Sequence, residues 1–299
     1  MSAVAASRFL KPELLARLGT LELVARTVVD GVLNGLHRSP DFGFSQEFAE
    51  YRAYSEGDDL RFVDWNVYAR ADRMYVKRFK GETNASVTFL LDVSASMGFG
   101  EPTSKLDQAR FLVASLAYLT RKQHDSLGMA LFDDQLRDYT PPSARPDSLP
   151  KVLGLLENTH VGNSTNVVDI LADVRATLTK RGLVVLVSDL YTEPKALLGS
   201  LQSLVHAGQD VAVFHILDDQ ELRPDMKKIS ALKSLESGTS VIVDPEYLRG
   251  EYKERIQAHC EQLEQNTIKA GADYIRLTTS ESLDSAIVSY LQFRERRVR

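Results

Sequence analysis

From Ser86 onward, short apolar runs suited to buried strands alternate with longer stretches of helical period, and this alternation sets the fold class. The strand-like runs are 87–92, 128–132, 183–188, 211–217 and 274–277, and the helix-like stretches are 105–122, 148–158, 168–178, 194–207, 245–269 and 282–294. Strands separated by helices connect through right-handed crossovers. The expected fold is therefore α/β, a doubly wound and mostly parallel sheet with helices on both faces. Residues 227–244 break the alternation and predict a short hairpin.

The part before Ser86 has a different texture. Apolar residues Leu14, Leu18, Leu21, Val24, Val28, Val32 and Leu36 fall at helical spacing and predict an amphipathic helix. Residues 39–82 have no clean period and interleave aromatics (Phe44, Tyr51, Tyr54, Trp65, Tyr75) with charges (Asp58, Asp59, Arg61, Arg70). Such a segment is ordered only if its rings pack and its charges pair. Docking of this segment and its helix on the α/β part is expected, with Trp65 buried. The division is residues 1–84 and 85–299.

The sequence carries a net charge of −5, so no global field favours nucleic acid or an anionic membrane as partner. Its single cysteine, Cys260, excludes an intramolecular disulfide. Met1 to Thr20 lacks the apolar core of a signal peptide, and no apolar run is long enough to span a bilayer. A cytoplasmic protein without an integral membrane segment is expected.

The stretch with the most chemistry is Phe89-Leu90-Leu91-Asp92-Val93-Ser94-Ala95-Ser96-Met97-Gly98. An apolar strand ends at Asp92, and in extended chain Asp92, Ser94 and Ser96 share one face while Val93, Ala95 and Met97 share the other. Thr103 or Ser104 can cap the helix that follows. A second strand, 183–188, ends at Asp189, and Thr165 lies in the turn-rich loop Gly162-Asn163-Ser164-Thr165-Asn166. Ligands of open parallel sheets bind beyond the carboxyl ends of strands. Asp92, Ser94, Ser96, Thr165 and Asp189 can thus converge as an all-oxygen set suited to Mg²⁺, with Mn²⁺ or Ca²⁺ as alternatives.

This order and spacing resemble the metal-ion-dependent adhesion site of von Willebrand A domains. The resemblance implies that Ser94 and Ser96 ligate the metal directly, Thr165 directly or through water, and Asp92 and Asp189 largely through water. It also implies an open position for an acidic residue of a protein partner. Upstream, Gly35-Leu36-His37-Arg38-Ser39-Pro40, Gly43-Phe44-Ser45, Gly57-Asp58-Asp59, Asp64-Trp65 and Tyr75-Val76-Lys77 resemble the bacterial domain-of-unknown-function family numbered fifty-eight. Members of that family fuse this segment to a von Willebrand A domain and are typically encoded beside MoxR-type AAA+ ATPases. The implied function is a metal-dependent protein–protein interaction module, an adaptor for such an ATPase or its client.

Enzyme readings are weaker. No Gly-x-Ser-x-Gly elbow or Walker-type phosphate loop is present. A phosphohydrolase using Asp92 as nucleophile usually needs a second carboxylate two residues on, where this chain has Ser94. A scaffold with an inactive metal site is the third reading. Asp58-Asp59, Asp133-Asp134 and Asp218-Asp219 are expected to pair with arginines or start loops rather than bind metal. His37, His160 and His215 show no ligand spacing, and Arg294, Arg296, Arg297 and Arg299 read as a solvated basic tail.

Overall fold

The computed structural model describes residues 15, 20–36, 48–53, 67–68, 74–79, 85–224, 230–236, 238–243 and 247–297. In chain order the elements are α1 (Leu21–Leu36), β1 (Phe48–Ala53), β2 (Tyr75–Phe79), β3 (Ser86–Asp92), α2 (Lys105–Lys122), β4 (Ser126–Phe132), β5 (Leu136–Ser143), α3 (Ser148–Glu157), α4 (Val167–Thr177), β6 (Leu183–Ser188), α5 (Pro194–His206), β7 (Asp210–Leu217), α6 (Asp219–Leu222), β8 (Ser230–Lys233), β9 (Ser240–Val243), α7 (Lys253–Lys269), β10 (Asp273–Thr278) and α8 (Leu283–Arg297).

Six strands form the central sheet in the order β10-β7-β6-β3-β4-β5. Five run parallel, as the alternation requires, and β5 returns antiparallel to β4 at one edge. The sequence reading did not include β5. Its residues are half exposed or exposed and include Pro141 and Pro142, so it shows no apolar run. It forms because the short turn after β4 places Leu136 opposite Phe132, and an edge strand tolerates proline.

Alternate residues of the buried strands feed opposite faces. Phe89 and Leu91 pack with α1, α2, α3 and α8, whereas Leu90 packs with α4, α5 and α7. Helix α1 belongs to the first of these cores, with Val24, Val28 and Val32 buried in it. The helix runs from Leu21, after Thr20, whose hydroxyl accepts from the Leu23 N–H at 3.3 Å. Leu15 is also buried there. Of the aromatic segment, β1 and β2 pair antiparallel. Trp65, Asp58 and Asp59 lie outside the described residues.

Other local expectations resolve individually. Ser104 caps α2 with a full capping box closed by Asp107. β8 and β9 form the antiparallel pair expected within 227–244. The helix expected from 245 begins as α7 at Lys253, after a wider π turn at Leu248–Tyr252. Arg294 is not a solvated tail residue: it pairs with the buried Asp125 and bonds Gln123. The ion pair ties α8 to the amino-terminal end of β4, and helical spacing alone cannot reveal it.

Candidate metal centre

The chain leaves β3 through α2 toward β4 on one side, while β6 lies on the other side of β3. A crevice opens at such a switch point, outside the carboxyl ends of the strands. Asp92 is the last residue of β3 and Asp189 follows β6, so both acidic groups stand at this crevice.

Asp92 is fully buried. Its Oδ1 accepts the Ser94 backbone N–H at 2.9 Å, and its Oδ2 accepts the hydroxyls of Ser188 at 2.6 Å and Thr165 at 3.0 Å. Burial, then the neighbouring Asp189 charge, pushes its pKa up to about 6 against the pull of the Ser188 and Ser94 hydrogen bonds.

Beyond Asp92 the chain does not stay extended. It enters a 3₁₀ turn at Ala95–Gly98, and this turn, rather than strand alternation, brings the Ser94 and Ser96 hydroxyls to 3.1 Å. The Thr165 loop is laced to the same turn. Ala95 N–H donates to Asn163 O at 2.6 Å, and Gly162 N–H donates to Val93 O at 2.5 Å. Asp133 anchors the loop from below, accepting the Asn163 N–H at 3.0 Å and the Arg137 guanidinium at 2.5 and 2.8 Å. Although burial pulls Asp133 upward, Arg137 and the N–H groups of Asn163 and Gln135 hold it at about 2. A Cβ on Gly162 would lie 2.2 Å from Asp133 Oδ2, so only glycine fits there. Asp218 likewise starts a loop, capping α6 and accepting the Thr279 hydroxyl at 2.6 Å.

Asp189 is fully buried as well, and its Oδ2 lies 2.7 Å from Lys105 Nζ. The same ammonium lies 2.7 Å from Glu221 Oε1 and 4.9 Å from the Tyr191 ring centroid. Lys105 is itself fully buried. Burial alone would lower its pKa, but the charges of Asp189 and Glu221 outweigh burial and raise it. The sequence reading missed Lys105, Glu221 and Ser188. A signal for Lys105 exists: a lysine in the first turn of a helix opposes the macrodipole and calls for acidic partners.

His215 supports the site from behind. Its Nε2 lies 2.9 Å from the Asp189 carbonyl oxygen and its Nδ1 2.6 Å from the Tyr274 hydroxyl. Burial lowers its pKa to about 3, so it is neutral. A carbonyl only accepts, which puts the proton on Nε2 and makes Tyr274 the donor to Nδ1. Leu190, next after Asp189, is buried in the left-handed region at φ 52°. That conformation is uncommon for leucine.

The five expected residues therefore converge. Asp189 Oδ1 is buried with no hydrogen-bond partner, and the hydroxyls of Ser94, Ser96 and Thr165 keep acceptor lone pairs. This is a hard-oxygen set that fits Mg²⁺ or Ca²⁺. Among the described residues no three His, Cys, Asp or Glu side chains gather as a metal-binding group, so a cation held here would need hydroxyl ligands.

The sheet order, the helices on both faces and the serine turn at the switch point define a von Willebrand A-like α/β domain. The crystal structure of the conserved hypothetical protein BatB from Bacteroides thetaiotaomicron is similar in fold, with a TM-score of 0.50 and 15% identity over 71% of this chain and 99% of that one. The SpRpn10 VWA domain aligns at a TM-score of 0.42 and 10% identity, over 68% of this chain and 94% of that one. The chain belongs to the family described as protein of unknown function DUF58, whose match spans residues 50–262. An uncharacterized protein of Mycobacterium tuberculosis is 26% identical over 292 residues, covering 95% of this chain and 91% of that protein. Among the described residues no helix is long and apolar enough to cross a membrane.

Proposed function

We propose that this chain is a divalent-cation-dependent protein-interaction module of the cytoplasm, and not an enzyme. The observation that carries the reading is the unpartnered, fully buried Asp189 Oδ1 in a crevice shared with the Ser94, Ser96 and Thr165 hydroxyls. Ser94, Ser96, Thr165, Asp92 and Asp189 would hold the ion, with Mg²⁺ the expected species. The bound cation supplies a positive centre with few anionic ligands, to which a partner Asp or Glu can bind with both strength and direction. The rim supports docking: Val161, beside Gly98 at the end of the serine turn, is 49% exposed, and Tyr191, beside Lys105, is 39% exposed. Apolar and aromatic side chains around a central polar anchor are a common composition for an interface core.

By family resemblance the partner is a MoxR-type AAA+ ATPase or its client, in chaperone-like or assembly work. Asp92 is better suited to organising the site than to nucleophilic attack, because it is fully buried and accepts three hydrogen bonds. Titration calorimetry with Mg²⁺ and Mn²⁺ tests the reading. Wild type should give binding heats that vanish in Ser94→Ala plus Ser96→Ala, and the ATPase should bind wild type in Mg²⁺ but not in chelator. Heats unchanged in the double variant would refute the metal centre. Turnover of an aryl phosphate lost in Asp92→Asn would favour the hydrolase instead.

A further inference from the structure

The turn between β8 and β9 carries Glu236. Although distant in sequence, its carboxyl reaches the candidate metal centre. Its carboxyl interacts with the Ser96 hydroxyl, the Thr165 backbone N–H, Asp189 and Lys105. Its Oε1 is buried and has no hydrogen-bond partner. Asp189 Oδ1 is in the same condition in the same crevice. Two buried carboxylate oxygens without partners each forfeit hydration with nothing in return. They also repel one another through the intervening space. A divalent cation gives both a partner at once.

If Glu236 only pinned the hairpin to the domain, its contacts with Ser96 and Thr165 would suffice. A glutamine would make them at a smaller burial cost, because it brings no charge out of water. The charge on this side chain calls for a cation beyond Lys105, whose ammonium is already shared by Asp189 and Glu221 at 2.7 Å each.

We propose that Glu236 is an internal carboxylate ligand of the cation site, held by the β8–β9 turn in the position that a partner's acidic residue takes. The inference rests on the cation reading of the centre given above. It adds regulation to that reading: a partner binds by displacing Glu236. An internal ligand acts at an effective concentration in the millimolar range. A lone carboxylate in solution therefore competes poorly, whereas a protein that also engages Val161 and Tyr191 has the extra contacts needed.

The test uses the full chain and Mn²⁺ alone, comparing wild type, Glu236→Gln, and Ser94→Ala plus Ser96→Ala. Glu236→Gln should weaken Mn²⁺ binding by roughly tenfold, with its unfolding midpoint in chelator not lowered. Millimolar acetate should restore Mn²⁺ affinity in Glu236→Gln and leave wild type unchanged. Amide exchange over residues 230–243 should slow when Mn²⁺ is added to wild type but not to Glu236→Gln. Equal Mn²⁺ affinity in wild type and Glu236→Gln, with binding lost in the serine double variant, would overturn the internal ligand and leave the cation site standing. Weakened binding that acetate does not rescue would reduce Glu236 to a packing role and also overturn it. A wild type that binds no Mn²⁺ would overturn both readings.

Discussion

Replacing Lys105 by methionine isolates the electrostatics of the centre, because it keeps the length of the side chain and removes only the ammonium. Lys105 Nζ lies 2.7 Å from Asp189 Oδ2 and 2.7 Å from Glu221 Oε1, with the lysine fully buried. At an effective dielectric of about 20, each contact is worth about 6 kcal/mol of Coulomb energy. Desolvation of the three groups offsets much of that. What the variant exposes is the cost of leaving two carboxylates without their cation, about 3–5 kcal/mol for a broken buried pair. Urea unfolding followed by circular dichroism, in chelator near neutral pH, should show a loss of this size. The loss should shrink as pH falls, because burial raises the Glu221 pKa and the stranded Glu221 carboxylate takes up a proton. Mn²⁺ should then restore more stability to Lys105→Met than to wild type, since the site has one positive charge fewer and binds the ion more tightly. Ion at about one hundred times its Kd contributes about 2.7 kcal/mol. A variant within about 0.5 kcal/mol of wild type in chelator, the range of an ordinary surface change, would refute the argument. So would equal stabilisation of both proteins by Mn²⁺.

Two further perturbations probe the supports of the site. Gly162→Ala forces a Cβ to within 2.2 Å of Asp133 Oδ2 and should cost about 1–3 kcal/mol while weakening Mn²⁺ binding; Gly154→Ala, whose Cβ meets nothing within 4 Å inside α3, is the control and should be neutral or slightly stabilising. His215 is held neutral by burial, with its pKa near 3 against about 6.5 in the unfolded chain. Below about 6.5 the unfolded state binds a proton that the folded state refuses, so stability falls as pH drops, by about 2 kcal/mol at a pH of about 5. His215→Gln should flatten that part of the urea-midpoint profile, and parallel profiles for the two proteins would contradict the assignment.

The parts of this molecule that could be read from sequence are those where one residue type has one physical use. Buried strands such as Leu183–Ser188 are continuous apolar runs because both of their faces are covered. The place of Asp92 and Asp189 at the crevice was legible because they end such runs at the carboxyl edge of a parallel sheet. The hydroxyl set followed from spacing, although the 3₁₀ turn at Ala95–Gly98 brings it together by a different geometry from the one expected. Pairings between residues far apart in sequence were not legible. Lys105 with Asp189 and Glu221, Arg294 with Asp125, and Glu236 with Ser96 and Thr165 each look like surface charge when read one residue at a time. Nothing local distinguishes a solvated glutamate from one that a hairpin carries into a crevice.

Strand β5 closes one side of the sheet with Pro141 and Pro142 next to a register shift between Leu127 and Met129. Two consecutive residues there have no amide hydrogen to offer a passing chain. Beyond Thr140 this border cannot accept another strand, so neither self-association nor capture of an extended peptide can propagate along it. Along this border recognition is steered away from backbone templating, which accepts many sequences. In the interaction proposed above it would fall to the loops at the strand ends, where side-chain identity decides which partner is admitted.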